Sequence, residues 1–197
     1  MKPSPKLQTG LDEETYVIAA SSDFLIGGVW GTRRMRRKDK EITDLGEMKE
    51  NLTTTKFVTI AMCSNGEPYL VTLSHGYDED RNCIYFHCAR EGKKIDILRA
   101  NNLVWGQALV DRGYVQGACD HMYSTTQFRG RVTFVEDMKE KEHALRVMIE
   151  SLDDNPRQIL KSQLTPESMQ RVMIGRIDID YMSGKKADRV IISQRKA

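Results

Sequence analysis

At 197 residues, with 40% hydrophobic and 29% charged residues and a net charge of +2, the chain has the composition of an ordinary globular protein with one core and some extension. That balance excludes a disordered polar chain, and the most apolar early stretch, Phe24 to Trp30, is too short to span a bilayer. Basic residues cluster only at Arg33, Arg34, Arg36, Arg37 and Lys38, so a nucleic-acid partner would rest on one short segment and is not expected.

Residues 1–34 hold Pro3, Pro5, Gly10 and the pair Gly27-Gly28 without a clear period, and read as an N-terminal extension. Phe24, Leu25, Ile26, Val29 and Trp30 are expected to pack on the body or on a partner subunit. The body begins with a short amphipathic helix, in which Thr43 and Asp44 cap and Leu45, Met48 and Leu52 make the apolar stripe. The period then changes to two. Phe57 to Cys63 reads as a strand, Ser64-Asn65-Gly66-Glu67 as a hairpin turn and Tyr69 to Tyr77 as the returning strand, with a third strand at Cys83 to Cys88. Connections this short make an antiparallel meander.

A helix is expected from Gly92 to Ala100 and a strand from Leu103 to Val110. Residues 111–122, with two glycines and no period, read as a loop before a long strand from Ser124 to Val135. Glu136 and Asp137 open a helix carrying Leu145, Met148, Ile149 and Leu152 on one face. Residues 153–165 read as a loop or broken helix, and Arg176 to Tyr181 alternates as the last strand. About six strands with helices between them make an α+β fold with an antiparallel sheet, of a kind that often closes into a barrel.

The stretch that carries chemistry is Pro68 to Asn101. A strand ends in His87-Cys88, a loop follows through Gly92, and Lys93-Lys94 occupy the first turn of a helix. A helix start offers free backbone N–H groups and partial positive charge, and two lysines beside it suit a phosphate. Read alone, the same lysines would equally serve as a solvated helix face.

The order of these pieces, an Asn-Gly turn, a Pro-Tyr strand, a Tyr-Phe-His strand, a Gly-Lys-Lys helix and Leu-Arg-x-Asn, resembles the FMN-binding split-barrel superfamily of pyridoxamine 5'-phosphate oxidase-like proteins. It is closest to the nitroimidazole-resistance branch. Arg36 to Ile42, Phe128 to Val132 with Val135-Glu136-Asp137, and Ile177 to Lys185 are similar as well, so the likeness covers about residues 35–186. It implies a six-stranded antiparallel split β-barrel with flanking helices over 35–186, between the extension 1–34 and a tail 187–197. It also implies a homodimer with FMN at two sites between the subunits.

Carried over by position, Val71, Thr72, Leu73 and Ser74 would lie along the flavin ring, offering backbone groups to its polar edge. His87, Cys88, Lys93 and Lys94 would hold the phosphate, and the opposing subunit would contribute Trp105, Gln107, Tyr123 and Thr125. His75, beside the flavin strand, is the candidate catalytic proton donor. Lys93-Lys94 lacks the bidentate guanidinium of the oxidase branch, and no arginine pattern for a substrate phosphate is visible near the C-terminus, which argues against pyridoxamine-phosphate oxidation itself.

The expected function is therefore an FMN-dependent oxidoreductase acting on a small organic acceptor such as a nitro-aromatic. Flavin storage is the alternative, followed by haem ligation through His75, His87 or His121. The four cysteines, Cys63, Cys83, Cys88 and Cys119, show no CxxC pair. Free thiols in a cytoplasmic protein are expected, rather than a zinc site made with His87 and His121. His143, on a charged helix, is expected to be solvated.

Overall fold

The computed structural model describes residues 35–188. The expected extension 1–34, including Phe24 to Trp30 and the pair Arg33-Arg34, lies outside the described residues, as does the chain beyond Asp188. After a 3-10 turn (Lys38–Lys40) and a short strand β1 (Glu41–Ile42), Asp44 starts the first helix, α1 (Leu45–Thr54), by accepting the Glu47 amide at 2.9 Å. The helix buries Leu52 and Asn51, and the Asn51 amide donates to Thr126 Oγ1 at 3.1 Å.

β2 (Phe57–Ser64) and β3 (Glu67–Ser74) form the expected hairpin. Asn65 and Gly66 both have positive φ, 53° and 81°, which is the turn an Asn-Gly pair makes between two twisted strands. The expected strand Tyr69 to Tyr77 is broken at His75 into β3 and a separate β4 (Gly76–Asp78). Gly76 sits under a later helix, and a Cβ there would lie 2.8 Å from the Met148 backbone. β5 (Cys83–Cys88) and α2 (Lys93–Ala100) follow as expected.

The two long central strands depart most from expectation. β6 (Leu103–Val115) and β7 (Asp120–Phe134) pair almost to their tips, so residues 111–122 are mostly hairpin rather than loop. A register shift between Asp111 and Tyr114, with Gly113 at φ 89°, twists the ladder and hides its period. Asp137 caps α3 (Met138–Leu152), a short helix α4 (Pro156–Gln163) lies within the stretch 153–165 expected as a loop or broken helix, and a second, α5 (Pro166–Arg171), follows it. β8 (Met173–Ala187) is far longer than the six residues that alternate visibly.

Among the described residues the strands number eight rather than six, all antiparallel, in the order β3-β2-β6-β7-β8-β5-β4 with β1 beside β8. Val58, Ile60, Phe86, Val104, Phe128 and Ile177 meet in one interior. Tyr69 and Val71 of the end strand β3 pack into that interior beside Cys88, although no ladder joins β3 to β5 among the described residues. Side chains thus close the barrel on one side and backbone hydrogen bonds close it elsewhere, which is a split barrel.

A second cluster, built on Cys83, Tyr85, Ala144, Met148 and Ile174, docks α3 outside the barrel. Its polar tie is Glu140, which accepts from Tyr85 Oη at 3.2 Å and from Arg176 Nη1 at 2.5 Å. Among the described residues no helix is long and apolar enough to cross a membrane.

Candidate functional site

Among the described residues no element covers one face of the sheet, and the strand ladders arrange its side chains in rows. Leu70, Ala61, Trp105, Arg129 and Tyr181 form one row across β3, β2, β6, β7 and β8. The next row is Thr72, Thr59, Gln107, Gln127 and Ser183, entirely hydroxyls and amides. Within it the Thr59 and Thr72 hydroxyls are hydrogen-bonded at 3.0 Å, and in the first row Trp105 meets Tyr181 edge to face at 5.6 Å. Leu70 (64% exposed) and Phe57 (60%) stand out from the same face. A polar stripe bordered by large apolar side chains suits a flat, partly polar ring system.

Among the described residues β3 is an end strand, paired only with β2. Alternate residues therefore leave N–H and C=O groups free along its outer edge. Of the expected ring-contacting residues, Thr72 and Ser74 point outward and are exposed, whereas Val71 is half-buried and Leu73 is buried in the core. Leu73 has only its backbone to offer a ligand.

The start of α2 lies against the start of this edge strand. Lys93 Nζ is 3.4 Å from Glu67 Oε1 and sits over the Tyr69 ring at 4.8 Å, and Lys94 Nζ lies over Phe86 at 5.6 Å. Gly92 precedes the helix at φ 126°, a conformation disfavoured for any residue with a Cβ, and no side chain caps the free N–H groups. Two lysines and an uncapped helix start fit a phosphate, with Asp96 in the same turn offsetting one of the charges. His87 is exposed on β5, and Cys88 is half-buried, its thiol pushed up by burial against the opposing pull of Lys94.

Gln107, Tyr123 and Thr125 line a cleft of about 390 Å³ together with Leu109, Asp111 and His121. Thr125 is buried and donates to the Ala108 carbonyl at 2.8 Å. His121 Nε2 meets Asp111 Oδ1 at 2.7 Å and holds the carboxyl below its usual range. Sequence reading missed Asp111 and His121 as lining residues because it took 111–122 for a loop, and it gave Leu109, on the strand expected at 103–110, no site role. The signal was the alternation Leu109, Asp111 facing His121, Tyr123, Thr125, interrupted by the bulge.

His75 does not fit the catalytic role expected of it. It is fully buried, and its Nε2 is 2.9 Å from the Leu52 carbonyl, which can only accept, so Nε2 carries the proton. Among the described residues Nδ1 has no hydrogen-bond partner, and burial lowers the pKa. A side chain without exposed surface satisfies a helix end rather than meeting a substrate. It is equally closed to haem. His143 is not simply solvated: Nε2 lies 2.6 Å from the buried Asp78. Cys83 is buried, its thiol pushed up to about 12 by burial, and Cys63 and Cys119 are exposed. Among the described residues no group of three or more His, Cys, Asp or Glu side chains is placed to hold a metal ion.

The family model described as pyridoxamine 5'-phosphate oxidase matches residues 44–186. The chain belongs to this pyridoxamine 5'-phosphate oxidase family. Among solved structures, it is similar to a candidate 5-nitroimidazole antibiotic resistance protein from Bacteroides thetaiotaomicron, at 26% identity and a TM-score of 0.64, over 74% of this chain and 86% of that one. The flavocytochrome Anf3 of Azotobacter vinelandii shares the fold at a TM-score of 0.67 and 16% identity, over 80% of this chain and 74% of that one. So does a FAD-binding protein of Mesorhizobium loti, at 0.54 and 23%, over 74% and 96%. No curated protein matches the chain. The family and its nitroimidazole-resistance likeness, read from motif order, are thereby met.

Proposed function

We propose that this member of the pyridoxamine 5'-phosphate oxidase family binds FMN and reduces a small organic acceptor, as a homodimer. The observation that carries the reading is the meeting of Gly92, Lys93 and Lys94 with the free edge of β3, a phosphate cradle next to a strand edge. A flavin bound there supplies the electron transfer. The protein's part is to orient and to shield. Lys93 and Lys94 neutralise the phosphate, the β3 backbone from Val71 to Ser74 meets the polar edge of the ring, and His87 and Cys88 flank the phosphate end.

The relatives support flavin as the ligand: the Mesorhizobium loti protein is described as FAD-binding and the Azotobacter vinelandii protein as a flavocytochrome. FMN is the form proposed because the cradle offers two lysines for a single phosphate. The exposed face carrying Phe57, Leu70, Trp105 and Leu109 supports a second copy of the chain as its cover, bringing Trp105, Gln107, Tyr123 and Thr125 to the partner's flavin. Nitro-aromatic compounds are the proposed acceptors, from the likeness to the Bacteroides thetaiotaomicron protein.

The test is the visible spectrum of the purified protein, followed by anaerobic reduction with a nicotinamide cofactor and addition of a nitro-aromatic acceptor. A flavin band that bleaches and returns supports the proposal. A band that no donor and acceptor can cycle would make it a storage protein, and no flavin uptake would remove the reading altogether.

A further inference from the structure

The β6–β7 hairpin builds an Asp-His pair that the flavin reading leaves unused. Along the cleft of about 390 Å³, Leu109 stands opposite Thr125 and Asp111 opposite Tyr123, and one extra residue on β6 then brings Tyr114 opposite His121. The bulge aims Asp111 at its neighbours. Its Oδ1 meets His121 Nε2 at 2.7 Å and accepts from the Gly113 amide at 2.8 Å. The bond to His121 first, and the bond to Gly113 second, hold the Asp111 carboxyl below its usual range, so it is ionised at neutral pH.

An ionised carboxylate can only accept, so Nε2 carries a proton whether the ring is neutral or charged. That leaves Nδ1, which takes part in no hydrogen bond among the described residues. It offers a lone pair on the neutral ring and an N–H on the charged one. A ligand with an acidic hydroxyl matches both, because the single proton between its oxygen and Nδ1 can sit on either atom. The walls suit an aromatic carrier of that hydroxyl. Leu109 and Tyr123 supply apolar surface, and Lys185 Nζ, 5.8 Å from the centre of the Tyr123 ring, offsets the charge of Asp111. Gln107 lies at the other end, four residues from Asp111 along β6, about 13 Å at 3.3 Å per residue, which leaves room for one ring between them.

We infer that this cleft binds a small aromatic molecule with an acidic hydroxyl, its oxygen on His121 Nδ1 and its ring against Tyr123 and Leu109. Asp111 is the positioning residue: it fixes the tautomer and the orientation of the imidazole. The identity of this ligand as the acceptor rests on the proposed function, in which Gln107, Tyr123 and Thr125 reach the partner's flavin. The cleft itself is built by β6 and β7 alone and is open to the ligand without flavin. It selects, among aromatic acceptors, those that carry an ionisable hydroxyl.

The test is equilibrium dialysis of 4-nitrophenol and of 4-nitroanisole, in which the hydroxyl is methylated, against the wild-type protein, H121A, D111N and K93A/K94A, with no electron donor present and FMN uptake measured in parallel. Wild type should prefer 4-nitrophenol on the order of tenfold, the scale of one charged hydrogen bond. His121 is half-exposed on a hairpin, so its truncation does not put folding at risk. H121A should abolish the preference by weakening 4-nitrophenol alone, and D111N should reduce it, while 4-nitroanisole binding and FMN uptake stay as in wild type. K93A/K94A should keep the full preference. Equal affinities for the two ligands in wild type, or a preference that survives in H121A, would overturn the inference and leave FMN binding standing. Loss of the preference in K93A/K94A would also overturn it, by moving the ligand to the phosphate cradle. A His121-dependent preference in a protein that takes up no FMN would support the cleft as a site and remove the flavin reading instead.

Discussion

Lys93 Nζ lies 3.4 Å from Glu67 Oε1, joining the first turn of α2 to the first residue of the edge strand β3. Both side chains are mostly exposed, so the pair is weak and can yield to a phosphate. Glu67→Gln removes the competitor for Lys93. FMN affinity measured by flavin fluorescence quenching should rise about two- to fivefold, while riboflavin, which has no phosphate, should bind as before.

His75 holds the end of α1 through the Leu52 carbonyl, and protonation of a ring this buried is disfavoured. Replacing it with Ala leaves that carbonyl unsatisfied and opens a cavity, at a cost of about 2–4 kcal/mol in chemical denaturation. Because the folded pKa is depressed, the unfolded chain takes up the proton first. The contribution to stability is full above the ordinary histidine value, about 6.5, and is lost as pH falls below it towards the folded value. Wild-type stability should therefore drop more steeply below that pH than stability of the Ala variant, and parallel profiles would contradict the assignment.

Gly106 pairs with Phe128 across the β6–β7 ladder, and a Cβ on Gly106 would come within 2.1 Å of the ring. Gly175 stands in the same relation to Phe86, at 2.3 Å. Each ring fills the space its glycine leaves. Gly106→Ala should cost about 1–3 kcal/mol by overpacking, read as a lower denaturation midpoint, with no effect expected at the exposed neighbour in Gln107→Ala.

Leu70 projects from the uncovered sheet face in the same row as Trp105. If a second copy covers that face, Leu70→Glu buries a charge against apolar surface and should shift the sedimentation profile from dimer to monomer. A monomeric wild type would contradict the dimer.

Much of this architecture was legible from local signals. The Asn65-Gly66 turn, the Asp44 and Asp137 caps and the Gly92-Lys93-Lys94 helix start all stand where short-range chemistry puts them. What escaped depends on tertiary context. The break at His75 follows from α1 and α3 packing against the chain there, and nothing in the period of residues 69–77 announces it. The β6–β7 tip was hidden because a bulge and positive-φ residues, including Gly113 and Cys119, suppress alternation. Of the candidate residues carried over from the family resemblance, Thr72, Trp105 and Gln107 share one face, while Leu73, like His75, turns inward, since alternation says which residues share a face but not which face the core takes.

The most direct measurement is a pair of titrations, FMN and riboflavin, into the wild-type protein and K93A/K94A. The account predicts that wild type binds FMN more tightly than riboflavin, that the double variant loses at least tenfold in FMN affinity, on the scale of one charged hydrogen bond, and that riboflavin affinity stays the same. Equal losses for both flavins, or no binding of either to wild type, would contradict it.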